Sequence, residues 1–232
     1  MNTNRMNTNN MNTNNKLHKL HAAGQTYFVE LAEKSGWPGF YDAACFKYYE
    51  LRLLNFLRAF GVKLHAYVLL KSTIYLLLTP GSPTAVNNLL GTVNRAYEEY
   101  FNRRFSRKTK VWARYQKSRA LEDHKLVLDC QKYIESAPLR NKLATHAGTY
   151  PWSSYCDSAF GVDSKYLTQH SALNAFLRSN SKPHESYREF IATPFENVTI
   201  HTLEHRIRQR ASQDRGEDKP QAITLLIPDT GP

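Results

Sequence analysis

Cysteine is scarce in this chain, and its placement excludes two scaffolds. Only Cys45, Cys130 and Cys156 occur, an odd number without CxxC spacing, which argues against a disulfide framework and a thiolate zinc site. Long apolar runs are missing too. The longest, Ile74 to Leu78, falls far short of the roughly 20 residues that span a bilayer, so membrane insertion is set aside. No apolar h-region marks the N-terminus, so no signal peptide is expected and a reducing cytoplasm is the expected location. Acidic residues are outnumbered: 20 Asp and Glu face 31 Lys and Arg, a formal net charge of +11. Such an excess favours a polyanionic partner, nucleic acid or an anionic membrane surface.

Hydrophobic residues make up 41 % of the 232 and aromatics 12 %, enough to pack one medium domain. Residues 1–15 (MNTNRMNTNNMNTNN) repeat every five residues and bury nothing apolar, so 1–20 is expected to be a disordered polar segment. Residues 206–232, charged and then closed by a short proline-fenced apolar patch, read as a mobile tail. The folded part therefore divides into 21–145 and a helical extension over 146–205.

Residues 26–31 (TYFVEL) are β-rich. Apolar positions 46, 49, 53, 56, 57 and 60 predict a helix over 41–60, with Gly61 as its C′ residue. Two strands follow, 62–70 and 74–79, then the turn Pro80-Gly81-Ser82-Pro83. A second helix is predicted over 84–105, a strand over 111–120, and a third helix over 122–136 with Pro138 beyond its end. The order β-α-β-β-α-β-α predicts an α+β, ferredoxin-like split βαβ fold, an antiparallel sheet with helices on one face. That architecture hosts many functions and names none.

Between Glu99 and Glu122 no acidic residue occurs, while eight basic ones do: Arg103, Arg104, Arg107, Lys108, Lys110, Arg114, Lys117 and Arg119. Phe105, Trp112 and Tyr115 are interleaved, and Arg95 precedes them on the same predicted helix. Cations in this pattern suit a phosphate backbone and aromatics suit an unpaired base. The competing reading is a solvated basic face with Trp112 and Phe105 in the core.

Three stretches together resemble the REP-associated tyrosine transposases and related single-strand transposases. They are 61–80 (GVKLHAYVLLKSTIYLLLTP), 91–105 (GTVNRAYEEYFNRRF) and 132–155, from KYIESAPLRNKL to YPWSSY. Order and spacing agree over about residues 24–195. The resemblance implies a ferredoxin-like domain that nicks single-stranded DNA beside a hairpin, through a tyrosine that forms a 5′-phosphotyrosine link. It also implies a Mg²⁺ or Mn²⁺ ion held by a His-hydrophobe-His pair. A tyrosine with its usual pKa of ~10 is a poor nucleophile, and phosphoryl chemistry needs an electrostatic clamp.

In this sequence Tyr133 of the Tyr-Ile-x-x-x-Pro element matches the nucleophile, but Thr73 and Tyr75 occupy the histidine positions. Ala137 stands where a polar residue helps hold the metal in relatives. All three ligand positions have lost their donors, so no metal cofactor is expected, and neither His65, His124, His146 nor His170 has a partner in sequence. The expectation is a protein that binds single-stranded or hairpin DNA and is impaired in cleavage. An active transposase using Tyr133 and a protein-interaction module on the same fold stay open beside it. Lys71 and Ser72 adjoin the vanished metal positions and suit a phosphate. Trp152 and Tyr155 read as packing residues, and Trp37-Pro38-Gly39 as a structural turn. The oligomeric state is not legible.

Overall fold

The computed structural model describes residues 20–34, 36–113, 116–196 and 200–207. The repeat at 1–15, Arg114, Tyr115 and the residues after 207 lie outside the described residues. The elements run β1 (Tyr27–Ala32), α1 (Ala43–Phe56), β2 (Val62–Leu69), β3 (Thr73–Pro80), α2 (Ala85–Arg104), β4 (Lys117–Ala120) and α3 (His124–Glu135). Then come α4 (Ala137–Arg140), α5 (Tyr155–Phe160), α6 (Ser171–Arg178) and α7 (Pro183–Ala192). A further helical segment occupies 200–207. The four strands form one antiparallel sheet in the order β2-β3-β1-β4, the α+β, ferredoxin-like split βαβ arrangement that the element order predicts.

Alternation along the strands explains how the helices attach. Tyr27, Val29 and Leu31 of β1 and Ile74, Leu76 and Leu78 of β3 face α1 and α2, the two crossover helices on one face. Phe28 and Leu77 point the other way. Because that second face is apolar as well, it is not left open: α3 covers it through Leu126, Val127, Cys130 and Ile134. Of the strand predicted over 111–120, the described ladder with β1 covers Lys117–Ala120, while Trp112 makes an isolated bridge to Glu33 and the Ala113 amide donates to the Ala32 carbonyl.

β2 contains an irregularity. Leu64 pairs with Leu78 and Ala66 with Leu77, so His65 is one residue too many for the ladder. That insertion lets Tyr67 and Leu69 fall on the same face as Val62 and Leu64. The imidazole is buried, with Nδ1 2.6 Å from the Thr168 carbonyl oxygen and Nε2 2.8 Å from Thr79 Oγ1. A carbonyl only accepts, so Nδ1 carries the proton and Nε2 accepts from the threonine. Burial, and to a lesser degree the neighbouring His170, pushes the pKa down to about 4. The folded-state value thus lies below the unfolded one, and the contribution is present above about pH 6.5. It is lost as pH falls from there towards 4, up to roughly 3 kcal/mol. The expected result is a urea midpoint that drops between pH 7 and 4.5, and less steeply in His65→Gln. An identical pH slope in that variant would contradict the assignment.

The helical extension is fastened by polar groups. Glu135 on α3 is fully buried and accepts from Ser154 Oγ (2.8 Å), Ser158 Oγ (2.9 Å) and Tyr187 Oη (2.7 Å). Residues 152–154 pair with the outer edge of β2: the Leu69 amide donates to the Trp152 carbonyl and the Ser154 amide to the Tyr67 carbonyl. Trp152 stacks on Phe46 and Tyr155 is buried, so both are packing residues, as expected.

Candidate nucleic-acid interface

Topology brings most of the sequence-predicted residues to one end of the sheet. β1 finishes there, β3 and β4 begin there, α2 and α3 both end there, and α1 starts there. The tip of α2 and the loop after it therefore lie at the same end as Tyr133, although α2 and α3 cover opposite faces.

The cations of the basic run and Arg95 divide by their partners. Arg95 and Arg103 on α2, and Arg107 and Lys108 after it, are exposed and have no ion-pair partner among the described residues. Arg104 is bound to Asp42, at 2.6 Å, the residue whose carboxylate also caps α1 through the Cys45 amide. Lys110 is paired with Glu98 at 2.9 Å and Lys117 with Glu30 at 3.1 Å. Arg119 is half-buried on β4, and Arg114 lies outside the described residues.

Trp112 is not available to stack on a base. Its ring is buried against Phe40, Tyr49 and Tyr97, and lies so close to Gly39 that a Cβ at that position would clash. An indole packed among three aromatic rings stabilises the core more than it would on a solvated strand. Trp37 is the aromatic that sequence reasoning missed. It is 50 % exposed, and the Arg107 guanidinium sits 4.5 Å above its ring. Its only sequence signal was an aromatic in a Pro-Gly turn.

Tyr133 sits half-buried on α3 above Phe28 and Tyr75. Its hydroxyl donates to Glu204 Oε1 at 3.2 Å, and the Arg140 guanidinium lies 3.9 Å over the ring. Burial raises the phenol above its ordinary pKa, against the lowering effect of Arg140. A small cavity of about 120 Å³ adjoins it, lined by Phe28, Glu30, Tyr75, Lys117, Glu204 and Ile207. Neither Arg140 nor the two carboxylates was read from the sequence, because each reaches the tyrosine only through the fold.

The three positions matched to metal ligands in the sequence do not fit a divalent ion. Thr73 and Tyr75 share one face of β3, but Tyr75 is a neutral phenol, its pKa driven well above 10 by burial and by Tyr133. Ala137 is fully buried in the apolar layer under α3. Among the described residues no group of three or more His, Cys, Asp or Glu is placed to hold a metal.

The sheet order and crossovers define a ferredoxin-like α+β domain. No protein-family model and no curated protein matches the chain. Among solved structures it is similar to a REP-associated tyrosine transposase bound to a REP hairpin. That likeness has a TM-score of 0.50 at 16 % identity, and covers 68 % of this chain and 95 % of the other. It is also similar to a tRNA(His) guanylyltransferase from Saccharomyces cerevisiae, with a TM-score of 0.41 at 9 % identity over 83 % and 81 % of the two chains. The fold is thus a distant transposase-like one. No helix among the described residues is long and apolar enough to cross a membrane.

Proposed function

We propose that this chain binds hairpin or single-stranded DNA on a transposase-like fold and does not cut it. The observation that carries the reading is the gathering of Arg103, Arg107 and Lys108, none with an ion-pair partner among the described residues, at the end of the sheet that holds Tyr133. Trp37 beneath Arg107 offers an aromatic face for an unpaired base. The transposase of similar fold was determined with a REP hairpin, which supports a hairpin as the ligand class. The non-cutting half rests on Thr73, Tyr75 and Ala137, which supply no metal-binding set, and on a tyrosine whose phenol burial pushes above its ordinary pKa.

The test is one gel with labelled hairpin-bearing single strands, with and without Mg²⁺ or Mn²⁺, for the parent protein and Tyr133→Phe. Both proteins are expected to shift the DNA in native lanes, and neither to leave a covalent adduct in denaturing lanes. A metal-dependent adduct formed by the parent and lost in Tyr133→Phe would show that the protein cuts. Absence of any shift would move the fold to the protein-interaction reading.

A further inference from the structure

A second basic region lies at the opposite end of α1, outside the segment that sequence reasoning singled out. There a cleft of about 620 Å³ opens between the end of α1, the start of β2 and residues 165–168. Arg58, Lys63 and Lys165 line it, together with Asn55, Tyr166 and Thr168. All three cations are exposed, none has an ion-pair partner among the described residues, and no carboxylate lines the cleft.

The walls are built rather than incidental. Residues 167 and 168 are pinned to β2 by a Leu64–Leu167 bridge and by the Thr168 amide, which donates to the Leu64 carbonyl at 2.8 Å. The Tyr166 hydroxyl donates to Asn55 Oδ1 at 3.3 Å, and its ring carries Lys165 Nζ at 4.9 Å from the centroid. The C-terminus of α1 contributes a partial negative charge of about half a unit here, which three full cations outweigh.

A band of cations and rings connects this cleft with the α2 tip. Arg52 on α1 lies 5.1 Å over Tyr48, Tyr48 stacks on Tyr100 of α2 at 4.1 Å, and Arg104 lies 5.8 Å over Tyr100. Lys47 is exposed on α1 as well. The span is set by α1, whose 14 residues measure about 21 Å. Phosphates of one strand are spaced 3.4 Å apart along a duplex, so the span corresponds to roughly six base pairs.

We infer that the Arg58–Lys63–Lys165 cleft is a second phosphate-binding site, which holds the far end of a nucleic-acid stem whose near end rests on the α2 tip. This rests on the DNA-binding reading above and adds to it a minimum stem length and a docking direction along α1.

The test is an anisotropy titration of the full chain and of Arg58→Ala/Lys63→Ala/Lys165→Ala, using hairpins with stems of about 4 and about 12 base pairs. Circular dichroism checks that the variant folds. With the long stem, the variant is expected to bind at least about tenfold more weakly, and its log-log salt slope to fall by about 2 to 3. The short stem is expected to bind parent and variant alike. Equal loss on both stems, or no loss on the long one, overturns the cleft as a site while leaving the α2 tip intact. Failure of the parent to bind either hairpin overturns the DNA-binding reading, and the cleft with it.

Discussion

Glutamate at Arg103, Arg107 and Lys108 together is expected to abolish measurable hairpin binding at physiological salt. If each exposed charge contact is worth about 1 kcal/mol, losing three already weakens affinity by roughly a hundredfold. Reversal adds repulsion to that loss. The slope of log K against log salt should shrink by about 3 at the same time, since each neutralised phosphate contributes about 0.9. Arg104 is best left in place, because it holds Asp42, the N-cap of α1, and its replacement would disturb helix and interface together. Titrations at several salt concentrations decide the matter. Unchanged affinity and slope would remove the α2 tip from the interface.

The largest effect on stability is expected at Glu135. Glu135→Leu leaves the buried hydroxyls of Ser158 and Tyr187 without their acceptor and Ser154 Oγ with only the Tyr67 carbonyl at 3.3 Å. Each unsatisfied buried donor costs about 1 to 3 kcal/mol, so a total loss on the order of 3 kcal/mol or more is expected. For a chain of this size that corresponds to a fall in Tm of about 6 to 12 °C. The same carboxylate sets a pH trend. Burial raises its pKa in the folded state, so folding favours its protonated form, and this contribution is lost as pH rises above about 4.5. Thermal unfolding of the parent and Glu135→Leu measures both. A Tm within a degree or two of the parent would mean that the three hydroxyls find other partners.

The regular elements were legible because their periods are strong. Positions 46, 49 and 53 mark the buried stripe of α1, and 126, 127, 130 and 134 that of α3. What the sequence withheld depends on distant partners. Lys110 and Lys117 look like any other cations of the basic run until the fold sets Glu98 and Glu30 beside them. Trp112 looks like a stacking platform until Phe40, Tyr49 and Tyr97 close around it. The extra residue in β2 is invisible because nearly every position there is buried, which leaves no polar beat to mark the slip. The cations along and just beyond α1 give no signal for a different reason: Lys47, Arg52 and Arg58 are scattered in sequence, and only the helix and the turn after it bring them together.

The pairing of residues 152–154 and 167–168 with β2 also closes an edge of the sheet. β2 is the last strand on its side of the sheet, and its outer amides and carbonyls would otherwise invite a strand from a neighbouring molecule. The backbone of the C-terminal extension occupies those groups at Leu64, Tyr67 and Leu69. A chain stopped at residue 145 would keep every residue of the four strands yet present an apolar, unsaturated rim. Its characteristic failure would be self-association through that rim rather than loss of secondary structure.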